Sequence, residues 1–206
     1  MKKILTTFLL VCCLAPLAAS LPSDPAFKEA TASFSHASDL VASFEQTKTI
    51  PGMKRALVST GTMYLSTTKG IIWDIKTPYP SLMVVENDYI IQQTKNKTKT
   101  KLNVSDNQIF MDIATSLQLV FSGDFSHIDQ NFSLAFTQQD TSWQITLTPL
   151  KKSSIATFLS EIIIQGSLQL EKVMMQETSG GSITYRFTNL EERELTHEES
   201  LLFNPN

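Results

Sequence analysis

The hydrophobic pattern changes period along the chain, and each change marks an element. Phe27, Ala30, Phe34 and Ala37 fall at helical spacing behind Ser23-Asp24-Pro25, which predicts a helix over 23–37. From Leu40 the period drops to two. Leu40, Ala42, Phe44 and Gln46 share one side, and Val41, Ser43, Glu45 and Thr47 the other. Val41 also fits the helical stripe, so a helix continuing to Phe44 competes with the strand that the alternation favours. Pro51-Gly52 turns the chain. Short strands are then expected over 58–66, 70–76, 81–86, 89–94 and 97–104, punctuated by Thr77-Pro78-Tyr79-Pro80 and Asn87-Asp88.

Asp106 stands where an N-cap belongs. Ile109, Ile113, Leu117, Val120 and Phe121 line one face of a second helix, which Gly123 stops. Alternation returns at Phe132, Leu134 and Phe136, then at Trp143, Ile145 and Leu147, and ends at Pro149. Residues 153–159 read as a brief helical turn, and 161–165, 168–177 and 182–188 as strands about Gly166 and Ser179-Gly180-Gly181. The acidic tail from Glu191 lacks such a pattern and is expected to be loosely held. The sum is an α+β chain of about ten antiparallel strands, with helices only at its start and middle. A sheet of that size should curl or close, and both helices could cover its concave face.

Residues 1–20 follow a different logic. Met1-Lys2-Lys3 is positive, residues 4–17 are uncharged and mostly apolar, and Ala18-Ala19-Ser20 supplies the small residues of a cleavage site. This is the pattern of a secretory signal peptide cut near Ser20. The apolar run is short for a membrane span. Val11 before Cys12 fits lipoprotein processing poorly, so the expected product is one soluble domain over 21–206 with a short acidic C-terminal tail. Both of the chain's 2 cysteines, Cys12 and Cys13, lie in the leader. The domain itself therefore has no disulfide and no thiolate chemistry. The whole chain's apolar content of 42% supports one packed core, and its net charge of −3 supplies no global basic field for nucleic acid.

Ser43-Phe44-Glu45-Gln46, Gly61-Thr62-Met63-Tyr64-Leu65, Ile71-Ile72-Trp73-Asp74, Pro78 and Leu82-Met83-Val84-Val85 follow one another in an order that resembles the N-terminal half of the periplasmic lipoprotein carrier family LolA. Phe121-Ser122-Gly123-Asp124, Phe132, Phe136, Trp143, Leu147-Thr148-Pro149, Gly166 and Gly180-Gly181 extend the likeness, which covers about residues 38–188. The resemblance implies an open (half) β-barrel with a helical lid. It also implies a cavity for the acyl chains of a lipoprotein, and travel from an inner-membrane donor complex to an outer-membrane acceptor. Members of this branch often accompany lipid exporters, so another acyl lipid is an alternative cargo. Where the family has an Arg-Pro pair whose arginine latches the lid, this chain has Thr67-Thr68.

The candidate cavity wall is Phe44, Met63, Leu65, Ile71, Trp73, Ile75, Leu82, Val84, Phe132, Leu134 and Phe136, each of which could equally be ordinary core. Phe110, Ile113, Leu117 and Phe121 would belong to a lid, or to a static amphipathic helix. Lys95, Lys97, Lys99 and Lys101 alternate, as a docking strip for an acidic partner or anionic headgroups, or as guards on an exposed edge strand. Lys54-Arg55, after Pro51-Gly52, is either a flexible basic loop that could touch a partner or lipid phosphate, or a solvated hairpin tip. No nucleophile elbow, P-loop or dinucleotide fingerprint occurs. The three histidines, His36, His127 and His197, are far apart. No catalytic residue, metal or cofactor is expected, and the working form is expected to be a monomer. A carrier of acyl chains is thus one reading. A periplasmic binding or assembly adaptor with a filled core, partner of a lipid exporter, is the second. A hydrolase would require Asp74, Glu86 or a histidine to converge with a serine in one cleft.

Overall fold

The computed structural model describes residues 25–32, 39–66, 68–86, 89–94, 99–103, 118, 125 and 127–204. Within them lie α1 (Pro25–Ala32), β1 (Leu40–Thr49), β2 (Leu57–Ser66), β3 (Gly70–Thr77), β4 (Ser81–Val85), β5 (Tyr89–Thr94), β6 (Lys99–Asn103), β7 (Phe132–Gln139), β8 (Ser142–Pro149), β9 (Leu159–Gly166), β10 (Leu170–Glu177), β11 (Ser182–Glu192) and α2 (His197–Leu201). The first strand begins at Leu40, so period two prevails over a continued helical stripe. The helix read over 109–121 lies outside the described residues apart from Gln118, as do residues 1–20, read as a signal peptide.

All eleven strands form one sheet, in the order β6-β5-β4-β3-β2-β1-β11-β10-β9-β8-β7, every neighbour antiparallel. Two meanders, β1–β6 and β7–β11, are joined at the centre where β1 pairs with β11. The sheet's two edges are therefore β6 and β7, and the chain between them must pass from one edge to the other. Side chains from both meanders meet in a single buried cluster, as a curled sheet requires. Gly61 and Gly166 let aromatic rings cross the strands closely. A Cβ on Gly61 would stand 2.9 Å from the Phe44 ring, and one on Gly166 would stand 2.4 Å from Trp143. Trp143 is pinned there by its indole N–H, which donates to the Ser167 carbonyl at 2.9 Å.

The tail is folded, contrary to the expectation of a loose end. The Arg193 amide donates to the Asp39 carbonyl at 3.0 Å, and the Leu195 amide to the Asp39 carboxylate at 3.2 Å. Thr196 and Glu199 then form a capping box that starts α2. Both terminal nitrogens of Arg193 donate to Glu199 at 2.8 Å. That fork holds the Glu199 carboxyl down at a pKa of about 2. The segment ends with Phe203 fully buried against the convex face of the sheet.

Candidate functional site

The register of the ladder decides which side chains share a face. Met63 pairs with Trp73 and Trp73 with Met83, so these three stand in one row. Leu65, Ile71 and Val85 form the next row. In the other meander Phe136, Ile145, Ile164, Val173 and Tyr185 stand in line across five strands. All of these rows belong to the concave cluster. α1 lies against it, with the Phe27 ring edge-on to Phe136 at 5.4 Å and to Phe125 at 5.2 Å. Phe44 meets Tyr185 edge-on at 5.6 Å, and Tyr185 stacks on Phe187 at 6.2 Å. Burial raises the Tyr185 phenol pKa well above its ordinary value, so it stays neutral there.

Of the side chains expected to form the wall, Phe44, Met63, Leu65, Ile71, Trp73 and Phe132 are buried in this cluster, and Ile75, Leu134 and Phe136 pack half-buried against it. Leu82 and Val84 do not join them. They face the convex side, beneath the tail, with Val41, Tyr64, Ile72, Ile91 and Phe203. β4 is apolar on both faces, so alternation gave no phase, and a one-residue choice exchanged Leu82 and Val84 for Met83 and Val85. Sequence reasoning also passed over Leu195, Leu202 and Phe203. Their signal was the Thr196-His197-Glu198-Glu199 capping pattern ahead of Leu201-Leu202-Phe203.

Phe110, Ile113, Leu117 and Phe121 lie outside the described residues, as do Lys95 and Lys97. Lys99 and Lys101 lie on β6, an edge strand, and the Lys101 ammonium sits 3.8 Å from the Tyr89 ring centroid. Thr67 is outside the described residues. Thr68 lies in the β2–β3 turn, where its amide donates to the Ser66 hydroxyl at 3.4 Å.

Part of the concave cluster is closely packed: Met63, Ile71, Ile145, Leu147, Ile162, Ile164 and Val173 each have 0% exposure, whereas Ile75, Met83, Leu134 and Phe136 on the same face are only partly buried. An open groove of about 530 Å³ lies on the convex side over Gly61, among Ser43, Glu45, Thr60, Thr62, Lys76 and Arg186. A second, of about 480 Å³, lies at the Trp143 end of β7–β9, among Gln138, Ser142 and Gln165. One polar atom in the concave wall stands out. The Trp73 indole N–H is buried without a hydrogen-bond acceptor, a condition that costs about 1–3 kcal/mol. Asp74 is paired with Lys76 on the convex side. Among the described residues no three His, Cys, Asp or Glu groups converge on a metal position, and no helix is long and apolar enough to cross a membrane.

An open antiparallel half-barrel with an apolar cluster across its concave wall from β5 to β7 defines a class of structure built around its interior face. The family model for outer membrane lipoprotein carrier protein LolA matches residues 35–200, and the chain belongs to that family. An outer-membrane lipoprotein carrier protein from Chromohalobacter salexigens is 24% identical over 150 residues, covering 73% of this chain and 69% of that protein. A LolA superfamily protein from Nitrosomonas europaea aligns structurally with a TM-score of 0.41 and 10% identity over 82% of this chain and 93% of its own. A putative outer membrane lipoprotein-sorting protein domain from Vibrio parahaemolyticus aligns with a TM-score of 0.46 and 11% identity over 85% and 96%.

Proposed function

We propose that the chain is a periplasmic carrier, not an enzyme. Its concave face takes the acyl chains of a lipoprotein, or of another acyl lipid, and moves them from an inner-membrane donor complex to an outer-membrane acceptor. The observation that carries this reading is the apolar concave cluster that runs from β5 across to β7, on a chain of the LolA family. Phe44, Met63, Leu65, Ile71, Trp73, Ile75, Phe132, Leu134 and Phe136 form that wall together with Met83 and Val85. Phe110, Ile113, Leu117 and Phe121 would act as its lid.

The chemistry is solvent exclusion, with no covalent step. Each CH₂ removed from water contributes about 0.8 kcal/mol. Because many wall residues already pack against one another, uptake displaces some of the protein's own apolar contacts, and cargo selects an opened state. Net affinity is the difference between the two sets of contacts, which keeps the cargo releasable. The unpartnered Trp73 N–H fits this exchange, since an acyl ester or amide carbonyl entering beside it would supply the missing acceptor.

Purification from the periplasm without detergent, followed by mass spectrometry, tests the reading. Acylated lipid or lipoprotein bound in near-stoichiometric amount is the expected result, and its absence overturns carriage. Trp73→Phe keeps the ring and removes the donor. It should lower the retained lipid several-fold with the fold intact.

The close packing of Met63, Ile71, Ile145 and Leu147 favours the second reading, an adaptor whose core never opens. That reading expects no bound lipid and a stable complex with an exporter.

A further inference from the structure

The hairpins of an antiparallel meander alternate between the two ends of the sheet, and here the ends differ in chemistry. One end carries the β1–β2, β3–β4, β8–β9 and β10–β11 connections. The described loops there contain Lys54, Arg55, Lys151 and Lys152, all exposed, and no Asp or Glu. Glu177, where β10 ends, accepts from the Ser179 hydroxyl at 3.0 Å, and Asp129 lies apart, in the turn before edge strand β7. The same end holds most of the large apolar side chains left in solvent: Ile50, Met53, Leu57 and Val58 on the β1–β2 hairpin, Tyr79 at 83% exposure on β3–β4, and Phe158 beside β10–β11.

The β1–β2 hairpin, the β10–β11 turn and Phe158 are contiguous. Pro51 lies 3.8 Å from a Cβ built on Gly180, Thr49 bonds Ser182 at 2.8 Å, and the Thr178 amide donates to the Phe158 carbonyl at 2.9 Å. Scattered exposed apolar residues are ordinary. Their concentration on the end that also gathers exposed cations without loop acids is not.

We propose that this end docks on an anionic phospholipid bilayer, with the β1–β2 tip entering the headgroup layer. Charge complementarity selects the occupant. Cations flanking isolated apolar and aromatic side chains match a negative interface with a shallow apolar boundary beneath it. Among the described residues the opposite end carries Glu86, Asp140, Glu191, Glu192 and Glu194 against Lys69 and Arg193, so its net charge is negative and the same surface repels it. With a net charge of −3 on the whole chain, this asymmetry orients docking. This inference does not depend on what fills the concave face.

Flotation of the purified chain with vesicles of phosphatidylethanolamine and phosphatidylglycerol, against vesicles of phosphatidylcholine, tests it. The chain should float with the anionic vesicles, and salt should release it. Lys54→Gln with Arg55→Gln should weaken partition by roughly 30-fold. Met53→Ser should weaken it further, whereas Glu192→Gln at the far end should leave it unchanged. Thermal unfolding and the amount of copurified lipid should stay the same in Lys54→Gln/Arg55→Gln, which separates docking from carriage. Absence of flotation, equal flotation with neutral vesicles, or indifference to the loss of both cations would overturn the proposal. An end built instead for an acidic protein would give the first of these results.

Discussion

On the concave face buried apolar side chains run through every strand from β5 across to β7; on the convex face they stop where the tail stops. Beneath Leu195, Leu202 and Phe203 the convex side presents Val41, Tyr64, Ile72, Val84 and Ile91. Across β8–β10 it presents mainly Thr146, Thr148, Gln165, Lys172 and Gln176, with Ile163 and Met174 half-buried among them. Convex burial therefore follows local cover, whereas the concave cluster is apolar across the middle of the sheet and gives way to Gln46, Lys48, Ser59 and Gln92 on the same face towards one end. A cluster buried among many strands tolerates no charge at its centre, whereas a face whose burial depends on one short segment can lose its cover piecemeal.

The largest expected break in this comparison comes from adjacent residues of one strand. Leu147→Asp puts a carboxylate into the closely packed part of the concave cluster and should cost more than about 4 kcal/mol, enough to prevent folding. Thr148→Asp, one residue on and exposed, should change stability by less than about 0.5 kcal/mol in urea unfolding. Equal effects would mean that the two faces are not distinct.

Next in size is the convex cover itself. Phe203→Ala empties a fully buried site and should cost about 3 kcal/mol. Hydrogen exchange should rise first in residues 193–203, before the concave strands respond. Global unfolding without that local step would show that the tail is continuous with the main core.

Smaller again is Gly61→Ala. The new Cβ would stand 2.2 Å from the Asp74 carbonyl oxygen and 2.9 Å from the Phe44 ring. Overpacking of this kind costs about 1–3 kcal/mol and should shift the urea midpoint.

These contrasts also explain what was legible in the sequence. Most strands announced themselves by alternation and turn chemistry, because they face core on one side only. Leu82-Met83-Val84-Val85 lacked that signal, as Ile71-Ile72-Trp73 and Tyr89-Ile90-Ile91 did, since the convex cluster covers their second face and the alternation vanishes. The period was plain there and the phase was not. The tail misled for the opposite reason. Its few apolar residues sit in a run of glutamates, and only the cap pattern at Thr196 and Glu199 betrays a folded end. The concave wall was legible as a face. What it holds was suggested by family likeness, since a wall and a core are written in the same residues.

The smallest effect should appear with acid. Glu199 is held at a pKa of about 2, against an ordinary 4.5, first by its hydrogen bonds to Arg193. A carboxylate lowered in the folded state contributes stability above the ordinary value and loses it as pH falls through the folded one. The tail should thus be fully fastened at neutral pH and come loose between about 4.5 and about 2. Since the Arg193 side chain is 35% exposed, solvent and salt weaken the pair, so the change should be local rather than global. Exchange rates of residues 193–203 should rise over that window while the concave strands stay protected. In Glu199→Gln the rates should already be raised at neutral pH and vary little on acidification. A wild-type tail that stays equally protected down to pH of about 2 would show that Phe203 alone holds the convex cover.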